Sequence, residues 1–401
     1  MKALITSTEA TRLINENLPA VATVHCPLNK CAGRILREAI HADRPFPPFN
    51  RSMMDGYAIR ASEIDAEGIF KITIQAPAGS PAQLIGPAPR SCAEIMTGAV
   101  VPEDADCVVP YEETKRIDEH TMQLLNPNTH QANDCIHGFA SDRPAGQQIL
   151  ALGTPIGSRE IAVAATCGNT ELAVAKIPSI AIISTGDELV NIDSTPAAHQ
   201  IRRSNDIMVE TALVRSHLYS QEKAHLPDNY EACKAALQTL LSKNEILLLS
   251  GGVSMGKKDY IPDALDELGL TNHFHGIAQK PGKPMGFWTN QKCSVFTLPG
   301  NPLSTLTCLH QYVIPAIFNA MGQQTIEATR SVNIDQDISA RDDFTIFLPV
   351  SIHEHNTATP QPVNNSGDLV HILKSDGYIV VPPIQTKSYS VGSEFDFHPW
   401  H

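Results

Sequence analysis

The chain has 401 residues, of which 42% are hydrophobic and 18% are charged, as in ordinary globular proteins. This length is too great for one simple core, so about two to four domains are expected. The formal net charge of −13 argues against nucleic acid as a partner, because duplex binding depends largely on neutralising phosphates. The net charge does not exclude a small anionic ligand that binds in a locally basic pocket.

Cysteine usage and hydropathy predict a cytoplasmic protein. The nine cysteines include no CxxC pair, which disfavours a zinc finger or a disulfide framework and favours reduced thiols. The N-terminus MKALITSTEATRL has neither the apolar region nor the cleavage site of a signal peptide. No run of about 18 apolar residues is present, so no membrane partner is expected.

The first part of the chain predicts a short helix at residues 7–18, capped by Ser7 or Thr8. Prolines then impose an extended path, after which MMDGYA places Asp55 and Gly56 in a turn, most simply a hairpin turn.

Residues 68–125 alternate short apolar runs with Gly and Pro, which predicts a small all-β module with Thr97 at a turn. The stretch ALGTPIGSREIAVAATCG predicts a strand and a helix that stops at Gly168.

From residue 177 the pattern changes to strands alternating with helices. IPSIAIIS and EILLLS are typical of strands buried on both faces, SQEKAHL and FHGIAQ predict further strands, and residues 205–217 predict a helix. A long helix is predicted at about 302–319, with Pro315 as a candidate kink. We therefore expect a doubly wound α/β domain, followed by a C-terminal β-barrel or sandwich.

The segment 247–302 carries three turns that could bind an anion. In the first, Ser250, Gly251 and Gly252 follow a buried strand and could offer backbone N–H groups, although no P-loop pattern is present. In the second, Lys280 and Lys283 bracket a Pro-Gly turn, where two ammonium groups repel unless an anion lies between them. Both lysines could instead point into water; the ligand role is favoured because the loop follows a predicted strand of the parallel type.

The third turn, LPGNP, places Asn301 at the start of the long helix, where an N-cap role alone would explain it. Five carboxylates also lie in predicted loops: Asp55, Asp142, Glu188, Asp228 and Asp259. Loop acids are usually solvated, but several that converge would suit Mg²⁺, which takes carboxylates together with phosphates and waters.

Six motifs, in this order, resemble the molybdopterin molybdenumtransferase (MoeA) family, which is related to the E domain of gephyrin: MMDGYA, MTGAVVP, STGDEL, SGGVSMGKKDY, KPGKP and LPGNP. The resemblance covers nearly the whole chain. It implies a homodimer whose active cleft is shared between subunits. It also implies four domains: a discontinuous linker or dimerisation domain at 1–45 and 140–175, a β-rich domain at 46–139, an α/β molybdopterin-binding domain at 176–322, and a β-barrel-like domain at 323–401.

The resemblance also implies the reaction and the residues that perform it. Members insert molybdate into adenylylated molybdopterin and release AMP, with Mg²⁺ assisting. The implied catalytic residues are Asp55, Asp142, Glu188 and Asp259, and the implied metal ligands are Asp228, Asp259 and Glu188. The implied substrate-binding residues are Thr97, Ser250, Gly251, Gly252, Lys280, Lys283, Asn301, Pro302, Arg341 and Ser366. The related adenylyltransferase and apo-molybdoenzymes are candidate protein partners.

Some positions depart from the family pattern. His137, Ala140 and Ser141 stand where the family usually has Arg and Gly-Glu, and Ile346 replaces another usual Arg. These departures keep open an alternative, a non-catalytic or altered-activity paralogue that acts as a molybdopterin-binding or scaffold protein. The adenylyltransferase itself is disfavoured, because β-rich segments flank the α/β domain here.

Overall fold

The computed structural model describes residues 3–252, 260–324, 330–363 and 365–400. The chain forms two compact units, each built from separate stretches of sequence. The first unit comprises Met1–Glu38, Leu152–Ser158 and Glu171–His401, and the second comprises Ala39–Ala151 and Arg159–Thr170. The boundaries of the four implied domains stay a prediction.

A six-stranded sheet forms the centre of the second unit, where the all-β module is predicted. Along its strands, Tyr57 and Ile59 enter one apolar cluster while Ala58 enters another, so both faces are buried. Its strands in spatial order are Cys107–Pro110, Gly56–Ile59, Ser91–Ile95, Ile69–Ala76, Thr121–Leu124 and Thr114–Asp118. Single 3-10 turns occur at Ala61–Glu63, Tyr111–Glu113 and Pro127–Thr129.

Two short ladders complete this unit, pairing Arg51–Ser52 with Ile136–His137 and Ile40–His41 with Gln148–Leu150. The helix Ser158–Thr166 ends just before Gly168, whose φ is +78°, as predicted.

The predicted hairpin turn at Asp55 and Gly56 is wrong. Gly56 is the first residue of a strand, and a Cβ at this position would lie 2.0 Å from the Val109 carbonyl oxygen. The glycine is therefore needed for close packing of two strands rather than for a turn.

The first unit begins with the helix Ser7–Asn17, which buries Ala10 and Ile14. Its N-cap is Thr6 rather than Ser7 or Thr8, because the Thr6 hydroxyl accepts a hydrogen bond from the Glu9 N–H at 3.1 Å. The strand Thr23–Pro27 then pairs antiparallel with Glu171–Ala175, and a single turn, Leu28–Lys30, follows it.

The largest part of the first unit is a six-stranded sheet, whose strands are numbered along the chain: β1 (Ile180–Thr185), β2 (Ser220–Leu226), β3 (Ile246–Ser250), β4 (Thr271–His275), β5 (Gly286–Thr289) and β6 (Ser294–Leu298). Their spatial order is β2-β1-β3-β6-β5-β4. Strands β2, β1, β3 and β6 are mutually parallel. Strand β5 runs antiparallel to both of its neighbours, β6 and β4.

Helices cover both faces of this sheet, as a doubly wound domain requires. Ile180 and Ile182 of β1 enter one apolar cluster, whereas Ala181 and Ile183 enter another. The helices are Asn205–Arg215, Tyr230–Lys243, Ile261–Glu267 and Pro302–Cys308, the last continuing through the π-helical turn Leu309–Val313 into Ile314–Ala320. The π turn ends two residues before Pro315, which has no N–H to donate to the preceding turn.

The predicted strand FHGIAQ is divided in two. β4 ends at His275, and Gly276 follows with a φ of +109°. Gln279–Lys280 is a separate short strand that pairs with a strand of the C-terminal domain. The lysine turn therefore does not follow a strand of the parallel sheet, and that reason for its ligand role is wrong.

The C-terminal part of the first unit is a closed barrel rather than a sandwich. The strand Thr345–Ile352 pairs with both Thr357–Pro360 and Gly377–Val381, which closes the ring around Val332, Val350 and Ile379. The remaining strands of the barrel are Arg330–Ile334 and Glu394–Pro399, and shorter elements of this part are Ile338–Ser339 with Ser388–Tyr389, Glu354–Asn356 and His371–Lys374. In the α/β domain, between β1 and β2, Leu189–Val190 pairs with Ile201–Arg202.

All nine cysteines are free thiols. Within the described ranges, no helix is long and apolar enough to cross a membrane.

Candidate active site

The carboxyl ends of β1, β3 and β6 lie side by side, and each strand runs into a turn that the sequence singled out. The strands end at Thr185, Ser250 and Leu298. Because parallel strands end at the same edge of a sheet, the turns TGDEL, SGG and LPGN meet there. We call this edge the crevice.

Glycine makes the close meeting of these turns sterically allowed. Gly251 has a φ of +93°, and a Cβ on it would lie 2.8 Å from the Thr185 carbonyl oxygen. A Cβ on Gly252 would lie 2.7 Å from Thr185 Oγ1. The Gly251 N–H donates to the Leu298 carbonyl oxygen at 3.2 Å, so this predicted anion donor is already engaged within the protein.

Two predicted acids, Glu188 and Asp228, lie on neighbouring turns at this edge, three residues beyond the end of β1 and two beyond the end of β2. Asp228 N–H donates to the Asp187 carboxylate at 3.1 Å, and Asp187 N–H donates to the Asp228 carboxylate at 3.4 Å. Glu188 follows Asp187 directly, and its carboxylate folds back over Gly186. The structure thus brings Glu188 and Asp228 to neighbouring turns, whereas Asp259 lies outside the described residues.

Both lysines of the second turn are exposed, and they have different surroundings. Lys280 lines a cavity of about 750 Å³ whose wall also includes Ser366. Lys283 Nζ lies 5.9 Å from the centre of the Phe344 ring, against which the Arg341 guanidinium packs at 4.5 Å. Arg341 also forms an ion pair with Asp343 at 2.8 Å. Lys283 and Arg341 are therefore gathered around one aromatic ring.

Asn301 does not cap the helix through its side chain, as its position had suggested. Its Nδ2 instead donates to Ser366 Oγ at 2.6 Å, and the N–H of Leu303 donates to the Ser366 carbonyl oxygen at 3.0 Å. Pro302 follows as the first helical residue, where its missing N–H is not needed. Three predicted residues, Asn301, Pro302 and Ser366, are thus joined across the α/β domain and the barrel.

In the second unit, Asp55 and Thr97 form one cluster. The Asp55 carboxylate accepts hydrogen bonds from the Thr97 N–H at 2.6 Å and from the Thr97 hydroxyl at 2.8 Å. The backbone donor and then the hydroxyl lower the pKa of Asp55. Asp55 is therefore a firmly ionised, exposed carboxylate.

Asp142 forms a second cluster with His137. His137 Nε2 lies 2.8 Å from the Asp142 carboxylate, and His137 Nδ1 lies 3.0 Å from Arg51 Nη2. Since a guanidinium only donates, Nδ1 is the acceptor and Nε2 carries the proton. The hydrogen bond from His137 lowers the pKa of Asp142.

A magnesium site is compatible with the donor chemistry at the crevice. Glu188 and Asp228 offer carboxylate oxygens on adjacent turns, which are the ligands that Mg²⁺ prefers. Among the described residues, no group of three His, Cys, Asp or Glu side chains could hold a metal. A bound Mg²⁺ would therefore need ligands beyond these two carboxylates, such as phosphate oxygens and waters.

Sequence reasoning missed two residues at this edge, Asp187 and Asn205. Asp187 exchanges hydrogen bonds with Asp228, and its signal was its place beside Glu188 in TGDEL. Asn205 Nδ2 contacts both Ser250 and Gly300, although its sequence places it only at a helix start.

The fold defines a class: multidomain proteins in which a doubly wound α/β domain is preceded and followed along the sequence by β-rich segments. Comparison with known proteins agrees. Residues 5–168 match the family model for the MoeA N-terminal region (domain I and II), residues 181–319 that for a probable molybdopterin binding domain, and residues 332–400 that for the MoeA C-terminal region (domain IV).

Relatives match over most or all of the chain. A protein of Synechocystis sp. named molybdopterin molybdenumtransferase is 35% identical, over 99% of this chain and 100% of its own length. Gephyrin of Dictyostelium discoideum is 35% identical over 72% of this chain and 46% of its own length. The crystal structure of the molybdopterin biosynthesis MoeA protein of Pyrococcus horikoshii superposes with a TM-score of 0.83 at 25% identity, over 99% of this chain and 100% of that one. The chain belongs to the molybdopterin molybdenumtransferase (MoeA) family.

Proposed function

We propose that this chain inserts molybdate into adenylylated molybdopterin and releases AMP, acting in molybdenum cofactor biosynthesis. The observation that carries the proposal is the meeting of the TGDEL, SGG and LPGN turns at one sheet edge. It is supported by similarity over the full length to a relative named for this activity. Both substrates are anions, and the cationic side chains of Lys280 and Lys283 belong to the same compact unit as these three turns. Positive charge near the turns would attract both substrates.

The substrate-binding roles follow from the chemistry of each group. Ser250, Gly251 and Gly252 would shape the phosphate end of the crevice, and Lys280 and Lys283 would supply positive charge. Asn301, Pro302, Arg341 and Ser366 would complete the oxyanion end, because Asn301 and Ser366 are already hydrogen-bonded to each other. Thr97 would act by holding Asp55, its hydrogen-bond partner.

The proposed catalytic acids are Asp55, Asp142, Glu188 and Asp259. An ionised carboxylate can orient water or accept its proton during cleavage of the phosphoanhydride. Asp228, Asp259 and Glu188 would hold Mg²⁺, which when bound supplies Lewis-acid polarisation of the phosphate oxygens. We further propose a homodimer in the cytoplasm that receives its substrate from the adenylyltransferase and passes its product to apo-molybdoenzymes.

The experiment supplies adenylylated molybdopterin, Mg²⁺ and molybdate and measures AMP release, with EDTA in a parallel reaction. Release that requires the metal supports the proposal, and Asp228→Asn should reduce it sharply. Asp263→Asn is a matched control, because Asp263 lies within the first turn of the helix Ile261–Glu267 rather than on the turns after β1 and β2. Tight binding of the nucleotide without any release would contradict the enzyme and favour the scaffold alternative, which the similarity to gephyrin motivates.

A further inference from the structure

Asn205 links the turns of the crevice through one amide group. It begins the helix Asn205–Arg215, and its Nδ2 lies 2.9 Å from Ser250 Oγ and 2.8 Å from the Gly300 carbonyl oxygen. Thr305 Oγ1 lies farther away, at 3.3 Å. Because an amide NH₂ group has two protons, the two shorter contacts take them.

The Gly300 carbonyl fixes which way this amide points. A carbonyl oxygen can only accept, so the reversed amide would set Asn205 Oδ1 against it. In the observed orientation Oδ1 is buried and has no hydrogen-bond partner among the described residues. The two contacts made by Nδ2 are therefore the contacts that hold Asn205 in place.

This orientation has a chemical consequence at Ser250. Ser250 is only 4% exposed, and its Oγ accepts from Asn205, which leaves its own proton available to donate. At the same time the Gly300 carbonyl, which would repel an anion, is occupied by an N–H group. Both effects make this side of the crevice more favourable to negative charge.

We propose that Asn205 is a positioning residue that prepares Ser250 and the Gly300 turn to bind the phosphate or pyrophosphate group of the substrate. The inference rests on the proposed function, which assigns Ser250 to the anionic substrate. It adds the residue that aligns the Ser250 hydroxyl, and it gives a reason for an amide at the first residue of this helix, directly after the N-cap Ser204.

A double-mutant cycle tests this role. Asn205→Leu removes the amide without adding charge or much volume, and Ser250→Ala removes the hydroxyl. Affinities of the full chain for AMP and for inorganic pyrophosphate are measured by calorimetry, and thermal midpoints are measured in parallel. We expect each single variant to bind about tenfold more weakly or worse, and the double variant to bind little more weakly than the weaker single one.

Asn290→Leu is the matched control. Asn290 lies in the turn between β5 and β6, and its side chain accepts hydrogen bonds from the N–H groups of Lys292 and Cys293. That variant should lower the thermal midpoint and keep the affinity for both anions.

The outcomes separate this inference from the proposed function. Additive losses in the cycle, or a loss of affinity in the control equal to that of Asn205→Leu, would overturn the role of Asn205 and leave the proposed function intact. Suppose that the effects of the two substitutions on pyrophosphate affinity are non-additive but the chain does not bind AMP. This result would support the positioning role of Asn205 and count against a nucleotide substrate in the proposed function. Failure of the unaltered chain to bind either anion would overturn the inference.

Discussion

Replacing Gly251 by Ala should destabilise the α/β domain and open the SGG turn. The left-handed φ of +93° costs a residue with a Cβ about 1–2 kcal/mol. The new Cβ would also lie 2.8 Å from the Thr185 carbonyl oxygen and 2.9 Å from Thr185 Oγ1, and such overpacking costs about 1–3 kcal/mol. The free energy of unfolding should therefore fall by about 2–5 kcal/mol in total.

Gly269→Ala separates the two contributions. Gly269 has a φ of +80°, but a Cβ there would meet no atom within 4 Å, so only the backbone strain of about 1–2 kcal/mol applies. Urea unfolding is followed by the fluorescence of Trp288, which is 1% exposed within this domain, in a Trp400→Phe background that removes the other tryptophan. Equal losses of stability in the two glycine variants would refute the steric reasoning.

Three further predictions concern the predicted site residues. Thr97→Val should raise the pKa of Asp55 in an NMR titration, because one of its two donors is removed; the pKa of Asp65, held low chiefly by the Gly68 N–H, should not move. Since the folded state lowers the pKa of Asp55, its contribution to stability is present at neutral pH and is lost as the pH falls through that pKa, so the variant should show a weaker acid dependence. Asn301→Ala and Ser366→Ala should each weaken molybdate binding and be non-additive in the double variant, whereas additive effects would argue against their hydrogen bond. Lys280→Gln should lower the affinity for pyrophosphate and should also reduce the salt dependence of that affinity. Lys292 does not line the Lys280 cavity, so Lys292→Gln should change neither the affinity nor its salt dependence.

The sequence predicted best the elements whose signal is local. The run IPSIAIIS predicted β1 because a strand buried on both faces is apolar at nearly every position, and SQEKAHL matched β2 from end to end. The C-terminal strand Glu394–Pro399 has a different local signal, because exposed and buried residues alternate along its first four positions. Closure of the barrel could not be predicted, because it depends on Thr345–Ile352 pairing with two distant strands.

The errors arose where a residue's role is set by a distant partner. Gly56 looked like a turn residue, but its requirement comes from Val109, which lies 53 positions away. Asn301 looked like a helix cap, but its amide binds Ser366 instead. The strand FHGIAQ is divided because Gln279–Lys280 finds its partner in the barrel. Local patterns contain no information about such pairings.

The most direct test of the proposed function is a single-turnover reaction with adenylylated molybdopterin, Mg²⁺ and molybdate. AMP release and activation of an apo-molybdoenzyme are measured in the same sample. We expect both, with one AMP released for each cofactor formed, and we expect that omitting molybdate abolishes the activation. Activation that proceeds without this chain, or nucleotide binding with neither AMP release nor activation, would contradict the proposed function.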